Sequence, residues 1–339
     1  MFTWRNPSPR SLGVLVRVKR GAAARRGVHP EEGHPHVAEV RALELERVVP
    51  LGQRFVSDHL HGCQYAPVLS ETVDLLRCPV CDDGLELGEG ALRCAAGHSF
   101  DVARQGYVNL VPSRADSADM VEAREAFLGA GHYRMLTVAV ADEAAGVDAA
   151  GAAIDLGAGT GHHLAGVLDA LPERIGLAID ASPAALRRAA RAHPRASAVG
   201  ADAWKPLPLR DGVAAVVLSV FAPRNAEEMA RVLAPGGAMI AVTPTTRHLY
   251  ELVGPLGLLS VPDDKEDRLD AQLEGHLRLL SRRSIEFSMF LTREEAAQLV
   301  RMGPTAWHLD EQTIAAGLAA LPDPLTVTAS VTLSRYTLG

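Results

Sequence analysis

The sequence predicts an α/β protein with a mostly parallel sheet, preceded by a small cysteine-containing module. After Gly151, short apolar segments alternate with segments of helical period, which is typical of parallel strands joined by crossover helices. The last two apolar segments are long and alternating, which suits an antiparallel pair at one edge of the sheet. Three cysteines within residues 78–94 predict the module.

The predicted strands and helices follow one another in βα order. Seven strands are predicted, at Ala152–Leu156, Ile175–Ile179, Ser197–Val199, Val213–Val220, Ala238–Val242, Ser284–Leu291 and Leu325–Leu333. Helices are predicted near 162–170, 183–193, 225–233, 265–280, 294–301 and 310–320. Two more helices fill 120–146, and the break between them is expected near Gly129–Gly131.

Composition limits the class of protein. The chain has 339 residues, of which 47% are apolar, with 34 basic and 41 acidic side chains and a net charge of −7. This length suits one large α/β domain with an appendage. No apolar run reaches the roughly 18 residues of a membrane helix, which excludes a membrane span. The charge excludes a protein that is basic throughout, so a nucleic-acid partner would need a local basic surface.

Four regions are predicted along the chain. Residues 1–30 contain seven basic side chains and no acid, and no sustained period is found up to residue 72. We interpret 1–72 as a disordered extension. A targeting peptide is the alternative, but the segment lacks an apolar secretory core and an amphipathic repeat. The module is expected at 73–112, a helical linker at 113–146 and the large domain at 147–339.

The cysteine-containing module has the spacing of a zinc site. Its pattern is C-x2-C-x12-C-x3-H, and two close ligand pairs joined by a hairpin can form the tetrahedron that zinc prefers. Few apolar side chains are available here, so metal binding would supply folding free energy. The alternative is three unrelated core cysteines with a chance histidine. Four protein ligands leave no open position, which predicts a structural zinc held by Cys78, Cys81, Cys94 and His98.

A glycine loop follows the first predicted strand of the sheet. Its spacing is G-x-G-x-G, whereas a dinucleotide site has G-x-G-x-x-G, whose third glycine would fall at His162. Glycines at these positions let the backbone turn sharply and approach a ligand closely. The shorter spacing is typical of S-adenosylmethionine-dependent methyltransferases. The candidate cofactor-binding residues of this segment are Asp155, Gly157, Gly159, Thr160, Gly161 and His162.

Two acidic residues end the next two predicted strands. Asp180 lies nineteen positions after Gly161, where a carboxylate can accept both ribose hydroxyls. Asp202 follows the third strand and is placed to accept from an adenine amino group. For each, a helix N-cap is the alternative interpretation. With the glycine loop, these residues predict a Rossmann-like class I methyltransferase fold with a seven-stranded, mostly parallel sheet.

Beyond the two motifs, several segments match a known family: the zinc module with His98–Leu110, Met120–Arg124, Gly131–Tyr133, Phe221–Asn225, Thr243–Pro244, Arg247–Leu249, Met302–Pro304 and Trp307. On these segments, the chain from about Leu75 to its end resembles the bacterial 23S ribosomal RNA guanine-N1 methyltransferases of the RlmA type. The finer match is to the branch linked to tylosin-type macrolide resistance, because of Phe221–Asn225 and the histidines that end the glycine loop. Residues 1–72 have no counterpart in the resemblance.

The resemblance implies roles that the spacing alone does not give. Tyr133 and His248 match positions that contact the cofactor, and the segment after the fourth strand matches the place where related enzymes hold the target base. A ring and a proline there, Phe221 and Pro223, could enclose a flat purine, although ordinary packing at a strand end is the alternative.

The implied reaction is methyl transfer to N1 of a guanine in a hairpin loop of 23S ribosomal RNA. The guanine must be unpaired or extruded, and a base must accept its N1 proton, but the sequence names no such base. The zinc module is acidic, so recognition there is expected to depend on shape. Candidate RNA contacts are Arg104, Arg124, Arg134, Arg224 and Trp307, whereas Arg187, Arg188, Arg191 and Arg195 are expected on a solvated helix face.

Two other functions are kept open. The first is methylation of a small molecule such as an antibiotic, which leaves the zinc module unexplained. The second is a zinc-bearing RNA-binding protein without catalysis, against which the intact glycine loop argues. We also expect a cytoplasmic protein with no membrane partner, and a homodimer is one option for its oligomeric state.

Overall fold

The computed structural model describes residues 66–112 and 115–339. Most of the extension predicted at 1–72 lies outside the described residues. Its last seven residues contradict that prediction, because Ala66–Thr72 form a helix, α1, with Leu69 buried. Leu69 packs in the same apolar cluster as residues of the large sheet, which explains why this segment is ordered.

The described residues contain eleven strands and ten α-helices. The strands are β1 Glu86–Leu87, β2 Ala91–Arg93, β3 Ser99–Asp101, β4 Tyr107–Asn109, β5 Ala152–Leu156, β6 Gly176–Asp180, β7 Ala196–Gly200, β8 Ala214–Val220, β9 Leu233–Pro244, β10 Leu277–Leu291 and β11 Leu325–Leu338. After α1, the helices are α2 Ala118–Gly129, α3 Arg134–Ala145, α4 His162–Ala170, α5 Pro183–Ala189, α6 Ala226–Val232, α7 Tyr250–Leu256, α8 Lys265–Leu273, α9 Arg293–Arg301 and α10 Glu311–Ala319.

The large sheet confirms the predicted fold class and contains one more strand than predicted. Its order is β10-β11-β9-β8-β5-β6-β7-β4, parallel from β9 to β4, with β11 antiparallel to both of its neighbours. The seven predicted strands are present. The eighth, β4, comes from the zinc module and pairs in parallel with β7 at the edge of the sheet. One strand is therefore shared between two regions that the sequence treats as separate.

The helix predicted over 265–280 is partly wrong. Helix α8 ends at Leu273, Gly275 adopts a φ of +81°, and the chain continues as β10. A glycine with positive φ ends a helix at low cost, and β10 then pairs along almost the whole of β11. Apolar alternation begins only at Ile285 in β10, so the exposed first half of this strand has no strand signal.

Apolar clusters cover both faces of the sheet around β5, all five residues of which are buried. On one face, α3 packs against α4 through Leu136, Val140, Leu164 and Leu168. Helix α2 packs against α9. The segment predicted as a helical linker is therefore part of the packed core, because its apolar face has these helices to cover it.

The zinc module is attached to the large domain through backbone and apolar contacts. The N–H of Arg77 donates to the carbonyl of Pro208 at 3.0 Å, and the N–H of Arg210 donates to that of Leu75 at 2.9 Å. Leu85 and Leu92 are buried in the cluster that covers one face of the large sheet. Within the module, β1, β2 and β3 form a small antiparallel sheet. Among the described residues, none of the helices has the length and apolar character that a membrane crossing requires.

Candidate zinc site and cofactor site

The structure brings the four predicted zinc ligands together. Their ligand atoms, three Sγ and one imidazole nitrogen, all lie within 4.8 Å of one another. Sγ of Cys94 is 3.2 Å from Nδ1 of His98 and 3.6 Å from Sγ of Cys81, and Sγ of Cys78 is 3.6 Å from the same Nδ1. The edges of a tetrahedron around zinc are about 3.6–3.8 Å for bonds of 2.1–2.3 Å. The spacing of the side chains therefore fits one zinc ion.

Two tight turns place these ligands. In the first, Asp82 has a φ of +61° and its N–H donates to the carbonyl of Cys78 at 2.9 Å. In the second, Gly97 has a φ of +86° and its N–H donates to the carbonyl of Cys94 at 3.0 Å. Each turn presents its ligands on one side, and the hairpin of β2 and β3 brings the second pair to the first.

The glycine loop between β5 and α4 requires its glycines. Gly157, Gly159 and Gly161 have φ values of +69°, +55° and +77°, which side chains disfavour. A Cβ at Gly157 would lie 2.8 Å from Cβ of Ala222, and one at Gly161 would lie 2.9 Å from Cβ of Ala192. The loop is thus closely packed against the segment after β8 and the end of α5.

Asp180 braces this loop. Its carboxylate accepts from the N–H of Gly159 and from the N–H of Ser182, each at 2.8 Å. The N-cap interpretation of Asp180 is wrong, because the side chain of Ser182 caps α5. Burial raises the pKa of Asp180 above its usual value. The carboxylate lies at the carboxyl ends of β5 and β6, where the proposed ribose-binding role requires it.

Asp202 closes the turn after β7. Its Oδ1 accepts from the N–H of Trp204 at 3.0 Å, and its Oδ2 lies 3.7 Å from Nζ of Lys205. No helix begins at this turn, so the N-cap alternative does not apply here either.

Asp155 lies in β5 below the loop and is 2% exposed. Burial, with a smaller contribution from Asp180, raises the pKa of its carboxyl to about 8. A cation bound beside it would favour the charged form. The ammonium group of S-adenosylmethionine is such a cation, so this buried acid fits that cofactor.

Three rings meet across the site. The centroid of Tyr133 is 6.1 Å from that of Phe221 and 6.3 Å from that of His248, and the last two are 5.5 Å apart. The structure therefore brings together two residues implied as cofactor contacts and one implied as a base contact. They come from the turn before α3, the end of β8 and the turn before α7.

Hydrogen bonds fix the tautomer of His248. The N–H of Ser330 donates to its Nδ1 at 3.2 Å, so the ring proton lies on Nε2, which is 3.3 Å from the hydroxyl of Tyr133. Burial lowers the pKa of His248 to about 4, which keeps the ring neutral. The tyrosine oxygen accepts from His248, and its own proton is available to a third group.

The backbone is strained at this ring cluster. Phe221 and Leu249 have φ values of +53° and +56°, which non-glycine residues rarely adopt. Phe221 is also 41% exposed although it is large and apolar. Its N–H donates to the carbonyl of Val242 at 3.2 Å, so the neighbouring strand β9 helps to hold this conformation. In this backbone conformation, the ring of Phe221 lies next to those of Tyr133 and His248.

Pro223 and Arg224, two and three residues after Phe221, have different surroundings. Pro223 lies against the glycine loop, with its Cδ 3.7 Å from the position of a Cβ on Gly157. Arg224, a predicted RNA contact, is mostly buried instead, and its Nη2 donates to the carbonyl of Val242 at 3.4 Å. Burial lowers the pKa of this guanidinium. The arginine therefore supports the end of the sheet and does not extend into solvent.

The other predicted arginines also differ in their surroundings. Arg104 and Arg134 are exposed, as an RNA contact requires. Arg124 lies over the glycine loop, with its Cδ 3.2 Å from the position of a Cβ on Gly159, and it pairs with Asp116 at 2.7 Å. Trp307 follows α9 in a short 3₁₀ turn and is 47% exposed. The roles of these residues stay predictions.

The solvated helix face predicted at α5 is partly wrong. Arg195 donates to the carbonyls of Leu168, Leu171 and Arg174. Arg188 pairs with Glu125 at 2.6 Å. Arg187, Arg188 and Arg191 line a cavity between α2, α4 and α5, which is also lined by Thr160 and His162. Thr160 and His162, which are predicted cofactor contacts, therefore also face this cavity between the helices.

Two features of the site have only weak sequence signals. Arg124 was expected to contact RNA, and nothing in its spacing indicates that it covers the glycine loop. Trp204 follows Asp202 at the rim and is 63% exposed. In the sequence, only its place two residues after a predicted cofactor carboxylate indicates that Trp204 belongs to the site.

Comparison with known proteins identifies both regions. The family model of the RlmA N-terminal zinc ribbon matches residues 76–117, and a methyltransferase domain model matches 153–237. The 23S rRNA (guanine(748)-N(1))-methyltransferase of Streptomyces fradiae is 49% identical over 269 residues, which cover 77% of this chain and 96% of that protein.

Two further relatives agree with this match. One from Micromonospora griseorubida is 50% identical over 284 residues, 77% of this chain and 96% of its own length. One from Bacillus subtilis is 33% identical over 198 residues, 54% of this chain and 70% of its own length. The names of both place them among the 23S rRNA (guanine-N1)-methyltransferases. This chain, which uses S-adenosylmethionine and a zinc ribbon, belongs to the 23S rRNA (guanine-N1)-methyltransferase family.

Proposed function

We propose that this protein transfers a methyl group from S-adenosylmethionine to N1 of a guanine in a hairpin loop of 23S ribosomal RNA. The names of its relatives support the substrate class. One observation carries the proposal: Phe221 is a strained, exposed ring, and the next residue, Ala222, abuts Gly157 of the glycine loop. A flat base stacked on this ring would lie next to the cofactor loop.

The cofactor would be held by the glycine loop and the acids around it. The backbone of Gly157–Gly161, Asp155, Asp180 and Asp202 would bind it, with Tyr133 and His248 on the side of the target base. S-adenosylmethionine supplies an electrophilic methyl group. The residues contribute mainly by orientation, which is the largest requirement of a direct displacement between two bound reactants.

The target guanine would be bound out of its base pair. N1 carries a proton at neutral pH and lies in the middle of a Watson–Crick pair, so the base must be extruded or already unpaired. Phe221 offers a face for stacking, and Pro223 beside the loop limits where the base can sit. Strain at Phe221 places that ring in advance, which reduces the cost of ordering it on binding.

His248 is a positioning residue in this proposal and does not accept the N1 proton. The lone pair of its Nδ1 is already used by the N–H of Ser330, and its Nε2 carries the proton that faces Tyr133. A pKa of about 4 also makes its protonation unfavourable at neutral pH. Its contribution is to orient the hydroxyl of Tyr133, and the proton of guanine N1 leaves to another acceptor.

A transfer assay tests the proposal. Purified protein is incubated with methyl-labelled cofactor and a transcript of the 23S hairpin, and nuclease fragments are mapped by mass and by reverse-transcriptase stops, which N1 methylation causes. The expected product is one methylated guanine in the loop. A transcript in which that guanine is replaced by adenine is the matched control. Transfer to a macrolide with none to RNA would favour the small-molecule function, and no transfer would favour the inactive RNA-binding function.

Phe221→Ala gives the corresponding test of the site. We expect kcat/KM for RNA to fall by about tenfold to hundredfold because a stacking partner is lost. The affinity for S-adenosylhomocysteine, measured by calorimetry, should change little. Phe290→Ala removes a ring with 62% exposure from β10 and serves as the matched control. If the affinity for S-adenosylhomocysteine falls by the same factor as kcat/KM for RNA, Phe221 has no separate role in binding the base.

Three further features belong to the same proposal. A contribution to macrolide resistance would appear as a raised inhibitory concentration in a sensitive strain that expresses the protein. Cytoplasmic location follows from a ribosomal RNA substrate. A homodimer is testable by light scattering of the purified chain.

A further inference from the structure

An exposed tryptophan lies at the rim of the site. Trp204 follows the end of β7, and 63% of its surface is accessible. Single exposed apolar side chains are common on protein surfaces. Two properties distinguish Trp204: its backbone is held from both sides, and the residues that hold it belong to the two halves of the site.

The first contact comes from the cofactor half. The N–H of Trp204 donates to Oδ1 of Asp202 at 3.0 Å, so the carboxylate proposed to bind adenine also holds the backbone of Trp204. The carbonyl of Asp202 accepts from the N–H of Lys205 at 3.0 Å, which closes the turn. The indole therefore starts from a defined backbone position directly beside the proposed adenine site.

The second contact comes from the base half. Nδ2 of Asn225 donates to the carbonyl of Trp204 at 3.3 Å, and Oδ1 of the same amide accepts from the N–H of Glu228 at the start of α6. Asn225 lies four residues after Phe221 in the segment proposed to hold the guanine. Both ends of one amide side chain are thus used, and they tie Trp204 to that segment.

We propose that Trp204 stacks on a base that neighbours the target guanine in the RNA hairpin. This inference rests on the proposed function. Extrusion of one base leaves its neighbours without a stacking partner, and proteins that read unpaired RNA supply aromatic faces for such bases. Trp204 offers a large, exposed ring whose backbone is bonded to Asp202 on one side and to Asn225 on the other. Stacking does not depend on charge, so it suits a rim where Asp202 contributes a negative group.

Binding of the 23S hairpin to Trp204→Ala and Trp204→Phe tests this inference. Fluorescence anisotropy should show about tenfold to hundredfold weaker binding for the alanine variant, whereas phenylalanine, which keeps a stacking face, should recover most of the affinity. The slope of affinity against salt should stay that of the wild type, because no phosphate contact is removed. Phe290→Ala, with 62% exposure on β10, is the matched control and should bind normally.

Two results would overturn the inference. One is wild-type RNA affinity in Trp204→Ala. The other is a loss of affinity for S-adenosylhomocysteine in that variant with RNA affinity kept, which would place the indole on the cofactor's adenine. Methylation of the hairpin by the wild-type protein is measured in parallel. If it occurs while Trp204→Ala binds RNA normally, the inference about Trp204 fails and the proposed function stands.

Discussion

In the zinc ribbon, residues 76–117, the zinc ligands come from two turns beside the short strands β1, β2 and β3. In the glycine loop, the functional backbone follows a strand, β5, in which every residue is buried. Asp82 and Gly97 shape the ribbon turns with positive φ, and Gly157 and Gly161 do the same in the loop. Similar local geometry is thus stabilised by a metal in one region and by apolar packing in the other.

The two regions should therefore be sensitive to different changes. The apolar residues of the ribbon, Leu85 and Leu92, are buried in a cluster that they share with the large sheet. Its last strand, β4, pairs with β7 of that sheet. We therefore expect that only the two turns that carry the ligands depend on the metal. The large domain should keep its fold when the ribbon loses its ion.

Zinc removal should have the largest effect and should be confined to the ribbon. Structural zinc sites contribute on the order of 10 kcal/mol to the folding of small modules, because the ion binds the folded site and its binding free energy becomes folding free energy. After chelation, hydrogen exchange should accelerate at residues 78–101. The amides of β4 should stay protected, since they are paired with β7. Mass spectrometry of peptides measures both.

Cys94→Ser, which removes one ligand, should reproduce the effect of the chelator, and readdition of zinc should restore only the wild type. S-adenosylhomocysteine binding should survive both treatments. Rapid exchange throughout β4 and β7 would contradict the comparison, because the ribbon would then support the sheet and not the reverse.

Substitution in the glycine loop should affect the opposite region. Gly157→Ala places a Cβ 2.8 Å from Cβ of Ala222 and requires a φ of +69°, so the loop must shift away from the segment that carries Phe221. We expect cofactor affinity to fall by about tenfold or more, at a cost of roughly 1–2 kcal/mol in binding. Calorimetry with S-adenosylhomocysteine measures it.

Gly254→Ala is the matched control for that change. Gly254 lies within α7 and a Cβ there would meet nothing within 4 Å. Alanine in a helix should leave cofactor affinity unchanged and increase stability by up to about 1 kcal/mol. Zinc content should stay normal in both variants. A loss of zinc from Gly157→Ala would show that the two regions are more tightly coupled than their packing indicates.

Acid should destabilise the large domain through His163. Burial and the neighbouring His162 lower the pKa of His163 to about 3, whereas the unfolded chain takes up the proton near pH 6.5. Between these values the unfolded state binds more protons, so the free energy of unfolding decreases as the pH falls from 6.5 towards 3. The loss attributable to this residue should be about 2 kcal/mol between pH 7 and pH 5.

Urea denaturation of His163→Gln at both pH values checks this sign. The variant should lose less stability on acidification than the wild type, although it will be less stable at pH 7 because its contact with Thr137 changes. His308→Gln alters an exposed histidine and should keep the wild-type pH dependence. An unchanged pH dependence in His163→Gln would exclude His163 as the cause.

The sequence predicts the regular parts of this molecule well and the junctions poorly. Residues 152–156 and 162–170 have the bounds expected from apolar period and from the glycine loop, because local pattern and tertiary burial agree there. The pairing of β4 with β7 was not predicted, since nothing in three residues indicates a partner 91 positions away, as Ala198 is from Tyr107. Helix α1 was missed for a similar reason: its single buried face depends on the sheet.

The candidate site divides in the same way. Metal and glycine spacing are local signals, and the structure places those residues together. The contact between Tyr133 and His248 joins residues 115 positions apart, and only the resemblance indicated it. The prediction for Arg224 was wrong. A charged side chain in a sequence predicts exposure, whereas Arg224 is mostly buried at the end of β9. Burial of a charged group depends on tertiary packing that no spacing encodes.

The smallest effect concerns the attachment of helix α1, which precedes the ribbon. Oγ1 of Thr72 in α1 and Oγ of Ser197 in β7 are 2.6 Å apart and buried, while Leu69 and Val73 supply the apolar contact. Thr72→Val keeps the shape and leaves Ser197 without this partner, so it should cost about 1 kcal/mol. Thr72→Val with Ser197→Ala should recover part of that loss, because no buried hydroxyl is then left unpaired. If the single variant instead releases zinc or exposes β4 to exchange, the hydroxyl pair and not apolar burial holds the ribbon to the sheet.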